Sequence, residues 1–366
     1  MGKTGRSFKK LSDAHPEESF SQLSSNLAAL RKLTSKGAEL AEDMSTIVAD
    51  LRKVAAADQQ PFVFTSSLEE NEKLLKVVLR DCDDFIFRRF KAADRKGMLV
   101  YCFGMTDITL LEKNVLETLM SPKNDSQVQA NPRQLIEKTL TAASLSLVSK
   151  PSEAIEAAIS GRGLLFIDGM AEVFVVGTEK FPKRSVSEAL AEEVIRGPHE
   201  GFNETLQDNI ALIRRWTNDA NLKVHMLRLG ERSRTAVALV YVGNLIKPGL
   251  LEEVKARLRR IKPDIILSSY KIEDLIVDHP WSPFPQVQST ERPDKIVSAI
   301  YEGRLAIIVD NSPIGLIVPC TYNAIMQTPE DYTSPAVVAS LITLTRHIAG
   351  FLAIYLPAIY ISIVAD

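Results

Sequence analysis

A chain of 366 residues is too long for one small module; at about 150 residues per domain it holds two or three folded units. Hydrophobic residues at 45% and charged residues at 25% sit at globular averages, which excludes wholesale disorder. With 44 basic against 46 acidic side chains and a net charge of −2, there is no chain-wide cationic field to draw nucleic acid, so any electrostatic partner is local.

Residues 1–60 begin as a polar tail. Gly2 to Glu18 has no apolar core and so no secretory signal, which leaves this segment on the side of synthesis. Leu23, Leu27 and Leu30, then Leu40, Met44, Ile47, Leu51 and Val54, recur at helical spacing on either side of Thr34 to Gly37. That is an amphipathic helix pair, its second run either a coiled-coil seam or a face packed on the domain that follows.

Beyond residue 60 the chain repeats itself. LVYCFGMTDITLLE (Leu99 to Glu112) resembles LVYVGNLIKPGLLE (Leu239 to Glu252) at an offset of 140, and GRGLLFID (Gly161 to Asp168) resembles GRLAIIVD (Gly303 to Asp310) at 142. Two matches at nearly one offset indicate a duplicated unit. Each copy opens on an apolar strand, Leu99 to Phe103 or Ala236 to Val242, passes through helices to Gly-Arg, and closes on two apolar runs around a turn. In the first copy that turn is Asp168-Gly169, a strong hairpin signal; in the second it is Asp310 to Pro313. Strands mixed with helices predict two similar α/β subdomains, each with a mixed sheet. The divisions follow as 61–182 for the first and 183–335 for linker helices and the second.

Between the copies, Ser185 to Asn221 is charged and helical in period, broken at Gly197-Pro198. Later, His279 to Asp294 (HPWSPFPQVQSTERPD) carries Pro280, Pro283 and Pro285, which bar it from a central strand and make it an extended surface loop. From Ile348 to Ala365 eighteen residues carry no charge. At about 1.5 Å per residue they span roughly 27 Å, close to the ~30 Å of bilayer hydrocarbon. The segment 336–366 therefore reads as the start of a membrane region, with Arg346 and His347 at the headgroups; the stop at Asp366 suggests a piece of a longer membrane protein.

Catalytic patterns fail on inspection. Gly2-Lys3-Thr4 lacks the upstream glycine and strand of a phosphate loop, and His199-Glu200 has Asn203 where a zincin needs its second histidine. Asp81, Asp83 and Asp84 cluster like calcium ligands, but Phe85 and Ile86 follow, so a solvated acidic edge is expected. Cys82, Cys102 and Cys320 are odd in number and never form CxxC, so neither a disulfide framework nor a zinc site is implied. No enzyme, metal or cofactor is expected. Two charged constellations remain. Arg196, His199, Glu200, Asn203 and Asn209 surround the Gly-Pro break, where Arg196 and Glu200 either hold a zwitterionic ligand or form an ion pair fastening the linker. Arg162 and Arg304 occupy matching positions before a strand, with Asp168 and Asp310 at its far end and Arg292 nearby. These five are expected to hold the fold or join the lobes, the arginines by capping carbonyls or pairing with the aspartates.

Three long stretches carry a family resemblance: Glu192 to Trp216 (EEVIRGPHEGFNETLQDNIALIRRW), Pro280 to Pro319 (PWSPFPQVQSTERPDKIVSAIYEGRLAIIVDNSPIGLIVP) and Leu344 to Tyr360 (LTRHIAGFLAIYLPAIY). From about Asn71 to its end the chain resembles the A subunit of bacterial spore germinant receptors, the GerA family. RGPHEGF stands where the sister stage V sporulation proteins tend to carry RGARDGY, which favours the receptor branch. The resemblance implies a fold like the two-lobed substrate-binding proteins of transporters, with a cleft between lobes for an amino acid or sugar. It implies a three-part complex with a transporter-like B subunit and a lipoprotein C subunit in the spore inner membrane, this domain facing the spore core. Either the lobes sense the nutrient by opening and closing, or they form a homo-oligomeric scaffold coupled to a channel while the B subunit binds it.

Overall fold

The structure is a computed structural model that describes residues 63–92, 95–120, 133, 145–180, 200–326 and 336–364. The tail and helix pair before residue 60, the linker helix before Gly197, Arg196 and His199 lie outside the described residues.

The first lobe starts with helix α1 (Leu68–Val78) and continues through strands β1 (Phe85–Ala92), β2 (Arg95–Cys102) and β3 (Leu145–Val148), helix α2 (Pro151–Ile159), and strands β4 (Gly163–Ile167) and β5 (Val173–Val176). After β2 comes a helical segment whose middle, Leu111–Leu116, is π-wound. The second lobe runs α3 (Leu206–Thr217), β6 (Leu222–Leu229), β7 (Thr235–Val242), α4 (Leu250–Arg260), α5 (Ser269–Ile276), β8 (Gln288–Thr290), α6 (Pro293–Tyr301), β9 (Leu305–Val309) and β10 (Gly315–Val318). Short α7 (Tyr322–Met326) and long α8 (Ala336–Val364) complete the chain.

The two sheets have one plan. Their strand orders are β1-β2-β4-β5-β3 and β6-β7-β9-β10-β8. The Leu-Val-Tyr motifs occupy equivalent places: Leu99 lies between Arg88 and Leu165, and Leu239 between His225 and Ile307. Pro151 and Pro293 both open the helix that leads back to the sheet centre, where a missing N–H costs nothing. The sheets are antiparallel where mixed sheets were expected. β3 and β4, joined through α2, do run parallel, but the Asp168-Gly169 hairpin inserts β5 between them, so every named ladder is antiparallel. In the second lobe β10 separates β8 from β9 in the same way.

Each sheet is covered on both faces, which is why its central strands are continuous apolar runs rather than alternating ones. In lobe one, α1 and α2 pack on Met98, Val100, Leu164 and Phe166, while the π-wound segment packs on Leu99, Leu165 and Phe174. In lobe two, α3 and α6 cover Ala238, Val240 and Ile308, and α4 and α5 cover Leu239, Ile307 and Leu316.

The paired aspartates tie each sheet to its leading helix. Asp168 Oδ1 accepts from Leu68 N at 3.2 Å, and Asp310 Oδ1 accepts from Leu206 N at 3.2 Å, each carboxylate serving the first turn of a helix about a hundred residues earlier. The next residues also match: Gly169 N donates to Ser66 O at 2.9 Å, and Asn311 N to Glu204 O at 2.8 Å. Gly169 (φ 88°) and Asn311 (φ 62°) both take the left-handed conformation this turn requires. Asp310→Ala is expected to destabilise by about 1 kcal/mol and Asp168→Ala by about the same, the effects adding in the double variant. Denaturant midpoints check this; an unshifted midpoint for either would remove the capping role.

Candidate functional site

Three places concentrate polar chemistry. The first is the junction of the lobes. Segment 81–83 of lobe one lies along the outer edge of β6: Asp83 N donates to Val224 O (2.8 Å), Val224 N to Asp81 O (3.1 Å), and Met226 N to Asp83 Oδ2 (2.8 Å). Cys82 and Val224 form the parallel bridge that results. An edge strand with open N–H groups would template unwanted pairing, and lobe one covers it here.

Behind that edge, Arg214 of α3 reaches across to Asp84. Its Nε bonds Oδ2, and Nη2 donates to Oδ1 at 2.8 Å, while the guanidinium lies 5.0 Å from the Phe85 ring. The two side chains are 1% and 4% exposed, so this is a fully desolvated ion pair. Burial works against the charge on Arg214, but Asp84 more than offsets it and holds the guanidinium protonated. Burial pushes the Cys102 thiol, beside Asp84, well up, and raises Cys82 too. The expected solvated acidic edge is therefore corrected at Asp84, which is buried because a cation lies opposite it; Asp81 and Asp83 are half exposed. Ala211 of α3 joins the lobe-one core, and Gln207 O and Ala211 pack against Gly104. At this place the lobes meet in a packed seam rather than an open cleft.

The second place is the candidate ligand cluster. Glu200 pairs with Arg215. Asn203 N donates to Asn209 Oδ1 at 2.8 Å, and Asn209 Nδ2 donates back to Asn203 O at 2.6 Å. Asn203 Oδ1 also accepts from Thr205 N, and its Nδ2 donates to Asp208 Oδ2. Lobe one repeats the exchange: Thr65 N donates to Asn71 Oδ1 and Asn71 Nδ2 to Thr65 O. Asn203 and Asn209 thus stand together, oriented on one another as a helix-entry clasp. The recurring Leu-x-x-Asn, Leu68 to Asn71 and Leu206 to Asn209, was the sequence signal for it.

The third place is the outer side of lobe two. Arg304 is 4% exposed; Nη1 donates to Gln288 Oε1 (3.1 Å) and Nη2 to Glu302 Oε2 (2.8 Å), while its Nε lacks a partner. Arg162 instead gives its Nε to Glu179 Oε1 at 2.7 Å. Each arginine therefore meets a glutamate within its own lobe rather than Asp168 or Asp310, whose carboxylates serve the helix starts. Arg292, 1% exposed, forks onto Asp294 at 3.0 and 2.6 Å. Close to the chain's exit from β10 a cavity of about 480 Å³ opens between α4, α5 and the proline loop, floored by Val254, Ile276, Val287 and Val318. Arg257 stands at its side, donating to Glu253 Oε1 (2.7 Å) and Ile276 O (2.8 Å) and pairing with Asp278 (2.9 Å). Among the described residues no group of three or more His, Cys, Asp or Glu side chains gathers to hold a metal.

From lobe two the chain runs to α8. Cys320 N donates to Gln286 O at 2.8 Å, the Tyr322 ring meets His347 of α8 edge-on with centroids 5.9 Å apart, and Arg346 bonds Met326 O. Val337–Val364 is long and apolar enough to cross a bilayer, and from Ile348 to Val364 its large side chains are exposed.

Doubled antiparallel lobes, packed against each other at the Asp84–Arg214 seam and followed by a helix of membrane length, define a two-lobed α/β domain. The chain belongs to the GerA family: the family model described as Bacillus/Clostridium GerA spore germination protein matches residues 73–365. It is 33% identical over 308 residues to the uncharacterized membrane protein YfkQ of Bacillus subtilis, covering 84% of this chain and 60% of that one. It is 33% identical over 302 residues to spore germination protein A1 of the same organism, covering 82% and 62%. This chain thus spans about three fifths of the length of these relatives. The crystal structure of the N-terminal domain of the A subunit of the Bacillus megaterium spore germinant receptor GerK3 matches with a TM-score of 0.58 and 28% identity, over 72% of this chain and 99% of that one.

Proposed function

We propose that this chain carries the two-lobed domain of a germinant receptor A subunit and transduces a small nutrient, an amino acid or a sugar, into the signal that starts spore germination. The domain sits on the core side of the spore inner membrane and works with B and C subunits. The observation that carries this reading is the connection of a two-lobe body, packed at the Asp84–Arg214 seam, to α8 through Tyr322–His347 and Met326–Arg346. A desolvated ion pair at the seam favours a body that moves as one unit against the membrane over two lobes that part. Spores lacking the protein, challenged with a panel of amino acids and sugars, are expected to lose their response to at least one nutrient. Unchanged germination on every nutrient would contradict the proposal.

The cavity of about 480 Å³ in lobe two favours a second reading, in which the domain itself binds the nutrient. A ligand there shifts the receptor only by its differential affinity, about 1.4 kcal/mol for each tenfold preference between states. Calorimetric titration is expected to show binding that Val254→Trp abolishes; no heat across the panel would assign sensing to another subunit.

A further inference from the structure

We propose that the proline loop His279 to Pro285 rests on the membrane surface, with Trp281 and Phe284 in the lipid headgroup layer. This rests on the membrane reading above and adds a second, non-helical contact with the bilayer. Trp281 is 97% exposed and Phe284 63% exposed, although large aromatic rings ordinarily bury most of their area. No charged residue stands between Pro280 and Gln288, so nothing in the loop itself resists contact with an apolar layer. The loop is also held in shape. Ser282 N donates to His279 O (3.0 Å), Phe284 N to Ser282 Oγ (3.2 Å), and Asp278 N to Gln286 Oε1 (2.8 Å). Three prolines remove further freedom, so little entropy is lost when the aromatic tips settle.

Position selects lipid as the occupant. Gln286 bonds Cys320, two residues before Tyr322, and Tyr322 contacts His347. Arg346 and His347 are the last strongly polar residues before the uncharged part of α8, which places them at the headgroup level. Trp281 is five residues from Gln286, at most about 18 Å along an extended chain, so the loop stays close to the segment that leads into α8. Tyr322 and Ile325, 48% and 44% exposed, add apolar surface on the intervening helix. Trp and Tyr are the residues that favour this layer, where a ring meets hydrocarbon and its N–H or O–H meets water.

Only two tryptophans are present, which makes the test direct. The full chain carrying Trp216→Phe is reconstituted into phosphatidylcholine–phosphatidylglycerol vesicles containing lipids brominated near the headgroup or near the chain ends. Trp281 is expected to emit to the blue of its position in detergent-free buffer and to lose roughly half its intensity to the shallow bromines, with little loss to the deep ones. A second chain, Trp216→Phe with Trp281→Phe and Phe351→Trp, carries its single indole on α8 and reports on that helix. If the α8 indole is quenched by lipid while Trp281 stays open to aqueous iodide, the loop proposal fails and the membrane helix stands. If Trp281 is shielded from both bromine and iodide, a protein covers the loop and the proposal fails. If neither tryptophan is quenched by lipid, the membrane reading itself fails.

Discussion

Replacing Arg214 by Met is expected to cost about 3–5 kcal/mol, because it leaves the Asp84 carboxylate buried without a counter-charge. Against a total of roughly 5–15 kcal/mol for a typical domain, that loss is a large fraction of the whole. Arg215, next in the chain, gives the contrast: its pair with Glu200 is about a third exposed on each side, so Arg215→Ala should cost no more than about 1 kcal/mol. Adding Asp84→Leu to Arg214→Met removes the stranded charge and should recover most of the loss, since an apolar pair can replace a buried ionic one. Thermal unfolding of these variants beside the unaltered chain checks the ordering. Equal losses for the Arg214 and Arg215 variants would mean that the seam is wet in solution.

The second large effect is at Gly303. Its φ of +79° is costly for a side chain, and an added Cβ would press into Leu245 O, a backbone atom that cannot swing aside. Gly161 is its counterpart, with φ +90° and a Cβ that would lie 2.6 Å from Met105 O. Gly303→Ala and Gly161→Ala should each destabilise by about 2–3 kcal/mol. Gly249 has the same φ of +79° and open space around it, so Gly249→Ala isolates the conformational part, about 1 kcal/mol. Denaturant midpoints separate the two contributions; a Gly303 variant no worse than the Gly249 variant would show that the close approach is relieved by movement.

These glycines explain what made the duplication legible in the sequence. Gly-Arg recurs because the backbone must pass beneath a carbonyl before β4 and β9, and the apolar runs recur because both faces of each sheet are covered. The turn at Asp168-Gly169 was readable because the turn closed by Met170 N and Ile167 O needs a left-handed position, which Gly169 supplies within the longer connection 168–172. The antiparallel arrangement was not readable from local pattern, since the parallel relation of β3 to β4 exists and is masked only by the strand between them. Nor was the seam. Asp84 stands in an acidic run that looks solvated, and its partner lies 130 residues away in a segment that reads as a charged helix. Asn203 and Asn209 stand out in the sequence as polar groups near a break, but pattern alone does not show that they bond each other. Arg196 and His199 lie outside the described residues.

The proposed transduction through α8 turns on the two lobes acting as one body. Spin labels placed on exposed Glu112 of lobe one and Arg259 of lobe two, with the native thiols replaced, measure the separation of the lobes in the full protein with and without nutrient. One narrow distance distribution, unchanged across the nutrient panel, is the predicted result. A second population, or a shift of the whole distribution when a nutrient is added, would contradict it.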